Sequence, residues 1–193
     1  MMASLLPAAL FLIVTAITPG PNNLLVMRTA SRNGWRGALP AIVGVVAGGL
    51  ALLSAVIVGA GSAFITWPAL RSGVEAGGVL YLVWLGVRLF AEAGRETSAM
   101  ALRAGFRGLF VFQFLNPKGW VMVLTVVAAM PATGTADTFL HLAPLFVCIP
   151  SFCLLLWAAL GDAVSRHLSR AVVRTWTDRI LGALLIVTSL LLV

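Results

Sequence analysis

Long apolar stretches alternate with short polar gaps along the whole chain. A helix that crosses a bilayer needs about 20 predominantly apolar residues. Six stretches approach or exceed that length: about Ser4–Thr29, Ala38–Ile65, Leu70–Phe90, Gly105–Met130, Thr138–Val164, and a shorter one from Ile180 to the end. Two are interrupted. TPGPNN, residues 18–23, lies inside the first, and NPK, residues 116–118, lies inside the fourth. Pro150 is expected to bend the fifth. The pattern predicts an all-α integral membrane protein, a single transmembrane domain over residues 1–193 with six transmembrane helices, of which the first and fourth are broken.

The gaps hold the charge. Arg28, Arg32 and Arg36 fall between the first two stretches, and Arg88, Arg95, Arg103 and Arg107 between the third and fourth. Arg166, Arg170, Arg174 and Arg179 fall between the last two, and only Arg71 lies on the opposite side. The positive-inside rule then places these gaps in the cytoplasm and both termini outside, periplasmic or extracellular. Trp35, Trp67 and Trp176 sit near predicted helix ends, where indole rings anchor at the interface.

Composition agrees with a bilayer protein. The chain is 61% hydrophobic and 10% charged, with a mean hydropathy of +1.05. A soluble domain has about 45–50% apolar and about 25% charged residues. A net charge of +7 could suggest nucleic acid, but the chain has a single lysine and no basic patch with interleaved aromatics. The arginines therefore read as topology and not as a nucleic-acid surface. The first stretch lacks the basic flank of a cleaved signal peptide and is expected to stay as a helix. Cys148 and Cys153 lie in one apolar run and read as buried thiols. No CxxC, HExxH or EF-hand pattern supports a metal, and nothing calls for a cofactor.

Other features have ordinary structural readings. Gly44 and Gly48, extended by Ala51 and Ala55, form one small-residue stripe, and Gly73 and Gly77 form another. Both are expected to pack inside the bundle, with a face for a homo-oligomer as the alternative. Arg71 and Glu75 are spaced for an ion pair within one helix. Asp162 and Asp178 are expected to pair locally with the arginines beside them. His141 and His167 have no ligand-like neighbours in the sequence, and Tyr81 and Trp84 read as core aromatics.

The two interruptions are related. Pro21 and Pro117 are 96 residues apart, half the chain. Each half, about 1–95 and about 104–193, then holds three helices, and an odd number inverts the second half in the membrane. Inverted repeats with interrupted helices are a transporter architecture, and the interruptions mark the binding site. Pro19 and Pro21 remove backbone donors and push Thr18 and Gly20 out of the helical region. Asn22 or Asn23 can satisfy the carbonyls thus freed. Asn116 suits an N-cap, with Pro117 at the first helical position. Two helix N-termini inside the bundle favour a carboxylate, and freed carbonyls favour an ammonium, so a zwitterionic amino acid suits both. Lys118 is the only lysine and lies mid-helix, where a charge costs about 2.5–3.5 kcal/mol on insertion scales; intramembrane charge is read as functional by default. Its expected role is a carboxylate partner or a proton-coupling group.

TPGPNNLLVMRTASRNGWRGALPAIVGVVAGG resembles the opening of the LysE/RhtB family of bacterial amino-acid exporters. GGVLYLVWLGVRLF, FRGLFVFQFLNPK and DRILGALLIV resemble its third, fourth and last helices, so the likeness covers nearly the whole chain. PGPNN and QFLNPK look most like the branch that exports cysteine and O-acetylserine-type or other small neutral amino acids. The resemblance implies an inner-membrane, secondary-active exporter of amino acids or related small metabolites, driven by the proton gradient. The family carries Asn or Asp after PGP; Asn22 cannot titrate, which moves any proton-coupling role toward Lys118. The expected substrate contacts are Asn22, Asn23, Asn116 and Lys118, and the expected breaks are made by Thr18, Pro19, Gly20, Pro21 and Pro117. The alternatives are a passive channel and a non-transporting membrane subunit. An enzyme would need clustered His, Asp, Glu or Cys at membrane depth, which the sequence does not offer.

Overall fold

A computed structural model describes residues 2–91, 93, 105–131, 134–167 and 170–190. Arg95, Arg103 and the chain ends lie outside them. Every regular element among the described residues is helical. In chain order these are α1 (Met2–Ile17), α2 (Pro21–Gly37), α3 (Leu39–Ala55), α4 (Gly61–Thr66), α5 (Pro68–Ala91), α6 (Phe106–Leu115), α7 (Pro117–Ala128), α8 (Thr135–His167) and α9 (Arg170–Leu190). A π-helical turn, Val56–Ala60, joins α3 to α4; Gly59 there has φ +123°, which a side chain would disfavour. Gly34, with φ +74°, likewise lets α2 change direction before its last turn.

Three spans are long and apolar enough to cross a membrane: Leu39–Thr66, Pro68–Ala91 and Thr135–Arg166. Two further spans arise if each bent pair counts as one, Leu5–Ile17 with Pro21–Gly37 at 53° and Phe106–Leu115 with Pro117–Ala128 at 67°. The expected sixth span is not among them. Its helix, α9, begins at Arg170, ten residues before the expected start, because Arg170, Arg174, Asp178 and Arg179 lie on the helix and not in a loop before it. The chain between the fifth and sixth helices is correspondingly short. Likewise Arg28, Arg32 and Arg36 lie on α2. α8 runs through Pro144 and Pro150 as one 33-residue helix. At 1.5 Å per residue it is about 50 Å long and exceeds the hydrocarbon core.

Two apolar clusters hold the bundle. One joins α2, α3, α5, α6, α8 and α9 through residues such as Leu24, Ile42, Leu85, Phe112 and Leu185. The other joins α1, α3, α7 and α8 through Leu12, Leu53, Val123, Leu142 and Phe146. Phe64 of α4 stacks on Trp120 of α7 with ring centroids 4.4 Å apart. Tyr81 and Trp84 pack against the first cluster as expected.

Glycines set how closely the helices approach. A Cβ on Gly44 would lie 2.4 Å from the Phe106 carbonyl oxygen, and one on Gly48 would lie 2.6 Å from that of Phe110, so this stripe packs α3 on α6. The Gly73–Gly77 stripe does not serve in that way: Gly73 faces open space. Gly78, one residue beyond the stripe, makes the close approach instead, with its Cβ position 2.3 Å from the Leu115 carbonyl oxygen. The closest approach is Gly161 of α8, whose Cβ position is 2.2 Å from the Met27 carbonyl oxygen of α2. Backbone cannot yield as a side chain does, so Gly161→Ala must separate α2 from α8. We expect a loss of about 1–3 kcal/mol, as for overpacking, read from unfolding in detergent. Gly73→Ala, in open space, serves as the control; equal stability of the two variants would refute the close approach.

Cys153 is buried, but Cys148 is exposed, contrary to the expectation that both thiols are buried; the two stand on different faces of α8. His141 does have a neighbour: its Nδ1 lies 3.4 Å from the Asp137 carboxylate one turn earlier. Arg71 pairs with Glu75 at 2.9 Å, and Asp162 with Arg166 at 2.6 Å, both within one helix as expected. Asp178 differs. It reaches across the bundle to Arg28, whose Nε donates over 2.6 Å, and to Arg32, both on α2. α2 turns its arginines toward α9 because Arg28 and Arg32, four residues apart, share one helix face.

Candidate functional site

The two helix breaks meet at one cavity of ≈ 60 Å³, between the two apolar clusters. That is room for about four to six waters. Its polar lining comes from Thr15 of α1, Asn22 and Asn23 of α2, Gln113 of α6, and Asn116 and Lys118 at the second break. The apolar wall includes Val45 and Val46 of α3, Met122 of α7, and Phe146, Pro150 and Leu154 of α8.

The first break is built as local chemistry requires. α1 stops at Ile17 and α2 starts at Pro21, with Gly20 extended before it. The Ile17 carbonyl loses its helical partner because Pro21 has no N–H to give, and those of Ala16 and Thr18 lose theirs because the chain leaves the helix before Pro21. Each is satisfied by a side chain. Asn23 Nδ2 donates to both Ala16 and Thr18 over 2.9 Å. Trp157 Nε1 of α8 donates to Ile17 over 3.2 Å. Lys118 Nζ donates to Thr18 over 3.0 Å, across from the second break. Gly20 gives Lys118 its room: a Cβ there would lie 3.1 Å from Nζ. With no side chain at Gly20, the start of α2 has no side-chain cap.

The second break follows the expected capping. Asn116 is extended and its Oδ1 accepts from the Lys118 backbone N–H over 3.2 Å, with Pro117 at the first helical position. This cap fixes where α7 begins and hence where the Lys118 side chain leaves the helix. Asn22 and Gln113 join the two breaks directly. Asn22 Nδ2 donates to Gln113 Oε1, and Gln113 Nε2 donates to Asn22 Oδ1, each over 3.1 Å.

All four expected contact residues, Asn22, Asn23, Asn116 and Lys118, therefore line one cavity, with Gly20 and Pro21. Pro117 stands one residue away, buried in the break, and Thr18 contributes its carbonyl. Asn23 and Asn116 spend their side chains on backbone groups and hold the breaks in shape; Asn22 and Lys118 also bridge them. Two residues were not anticipated. Gln113 sits within QFLNPK, three residues before the break, where an amide in an apolar helix was the available signal. Trp157 gives no such signal, since an indole in an apolar run reads as packing. Among the described residues, no three His, Cys, Asp or Glu side chains gather to hold a metal.

A model of the LysE type translocator family matches residues 13–193. The chain is also similar to proteins named cysteine/O-acetylserine efflux protein. That of Escherichia coli strain K12 is 28% identical over 161 residues, and that of Salmonella typhimurium strain LT2 is 27% identical over 161 residues; each alignment covers 81% of both chains. No solved structure matches. With the family match spanning both helix breaks and the cavity between them, the chain belongs to the LysE type translocators and is a transporter rather than an enzyme.

Proposed function

We propose that the protein is a secondary-active exporter of small amino acids or amino-acid-like metabolites from the bacterial cytoplasm, driven by the proton gradient. The observation that carries this reading is the convergence of two broken helices on one small cavity that holds Asn22, Gln113, Asn116 and Lys118. Cysteine and O-acetylserine, the solutes in its relatives' names, are small amino acids with one carboxylate and one ammonium, which the polar groups of the cavity can meet. Lys118 and the N-termini of α2 and α7 provide positive charge for a carboxylate. The two broken pairs act as counterparts in two inverted three-helix halves, and rocking of one against the other exposes the cavity to each side in turn. The arginine-rich end faces the cytoplasm, in the inner membrane, with both termini outside. Lys118 is the group proposed to link substrate to proton, since Asn22 cannot titrate.

The test is export itself. Cells that overproduce the protein are expected to tolerate raised cysteine, O-acetylserine or related analogues and to release them faster. In liposomes, counterflow should saturate and should respond to an imposed pH gradient. Unsaturable, downhill flux would instead make the protein a passive channel.

A further inference from the structure

Gln113 is held more firmly than a lining residue needs to be. It is 4% exposed, and its side chain ties the second half of the chain to Asn22. Its orientation is fixed by chemistry. The Leu109 carbonyl 3.0 Å away can only accept, so the atom facing it is Nε2, and the other N–H of that nitrogen goes to Asn22 Oδ1. Both donors of the amide are then used. Oε1 accepts one hydrogen bond from Asn22 and keeps a lone pair. Gly48 leaves space for the stem: a Cβ there would lie 2.6 Å from Gln113 Cγ. The side chain is thus a fixed acceptor in the wall of the cavity, carrying no charge.

The charge balance of the cavity gives that neutrality a consequence. Lys118 is the only charged side chain among the described residues that line it, and no carboxylate does. A site with one cation and a neutral acceptor can hold one carboxylate and one ammonium. A second ammonium would meet Lys118 with no counter-charge.

Resting on the exporter reading above, we propose that Gln113 is a specificity-determining residue: its Oε1 receives the substrate's ammonium, and its lack of charge restricts the site to amino acids with uncharged side chains. A carboxylate in the same place would favour dibasic substrates instead. A hydrogen bond to a charged group is worth about 1.5–3 kcal/mol, so each discrimination should be about tenfold or more.

The experiment is competition against counterflow of a small neutral amino acid, with the full-length protein in liposomes. In the wild type, a small dibasic amino acid (2,4-diaminobutyrate) and the N-acetylated neutral amino acid should each compete at least about tenfold more weakly than the neutral one. In Gln113→Glu, the neutral-to-dibasic ratio should fall about tenfold or more, a change that loss of packing alone does not produce. If Gln113→Glu does not assemble, Gln113→Met takes its place and should lose the preference for the free ammonium over its N-acetyl form. Equal competition by neutral and dibasic solutes in the wild type overturns the proposal. So does an unchanged ratio in assembled Gln113→Glu, or an unchanged N-acetyl penalty in Gln113→Met. Absence of saturable transport of any amino acid by the wild type would instead overturn the exporter reading and this inference with it.

Discussion

Lys118→Met is expected to lower transport about 100-fold while leaving the protein inserted and folded. Methionine keeps the length and bulk of the stem and removes the only charge among the described residues that line the cavity. The structural role of Lys118 is small. Its Nζ donates to the Thr18 carbonyl, but Asn23 Nδ2 already donates to the same oxygen over 2.9 Å, so the break keeps a partner when the lysine is lost. One replaceable hydrogen bond is worth about 1 kcal/mol. A substrate carboxylate has no such substitute. A charge-assisted bond contributes about 1.5–3 kcal/mol, the upper end of which corresponds to about 100-fold in rate or affinity. Lys118→Arg should not restore activity. Gly20 leaves room for a compact ammonium, with the Cβ position only 3.1 Å from Nζ, and a planar guanidinium fork has a different shape. Counterflow in liposomes measures the transport loss, and thermal unfolding in detergent measures the stability. A methionine variant that transports within twofold of the wild type would remove Lys118 from the site.

How much of this could be read from the chain depends on whether the cause is local. The breaks at TPGPNN and NPK were legible because proline, glycine and an N-capping asparagine act within a few residues; Asn23 on Ala16 and Asn116 on Lys118 are contacts of that kind. The partners that join the breaks were not. Gln113 meets Asn22 across 91 residues, and Trp157 meets Ile17 across 140, and neither amide nor indole announces such a reach. Small-residue spacing showed that α5 would pack closely but not with which face, and Gly78 took the role that Gly73 and Gly77 were expected to share. At α9 the charged residues looked like a loop. They remain on a helix because its early part meets α2 through a carboxylate that two arginines share.

That carboxylate leads to the largest expected loss of stability. Asp178 is 1% exposed on α9 and accepts from Arg28, itself 2% exposed, and from Arg32. The three residues tie the first broken helix to the last helix across 150 residues of chain. Asp178→Ala leaves two guanidinium groups four residues apart on α2 without the negative charge they share. Breaking a buried pair from one side costs about 3–5 kcal/mol, mainly through the charge left behind. The loss should be larger than that of Arg71→Ala, whose pair with Glu75 is exposed and worth about 0.2–1 kcal/mol. If the cost comes from stranded charge, removing the arginines as well should recover much of it. The triple variant Arg28→Met, Arg32→Met, Asp178→Leu should then be more stable than Asp178→Ala, since apolar replacement of a whole buried ionic group is often neutral or favourable. Unfolding in a mixed detergent with rising denaturing fraction orders the variants. An Asp178→Ala protein no less stable than Arg71→Ala would show that α2 and α9 are held by their apolar faces alone, through the cluster that contains Leu24, Leu181 and Leu185.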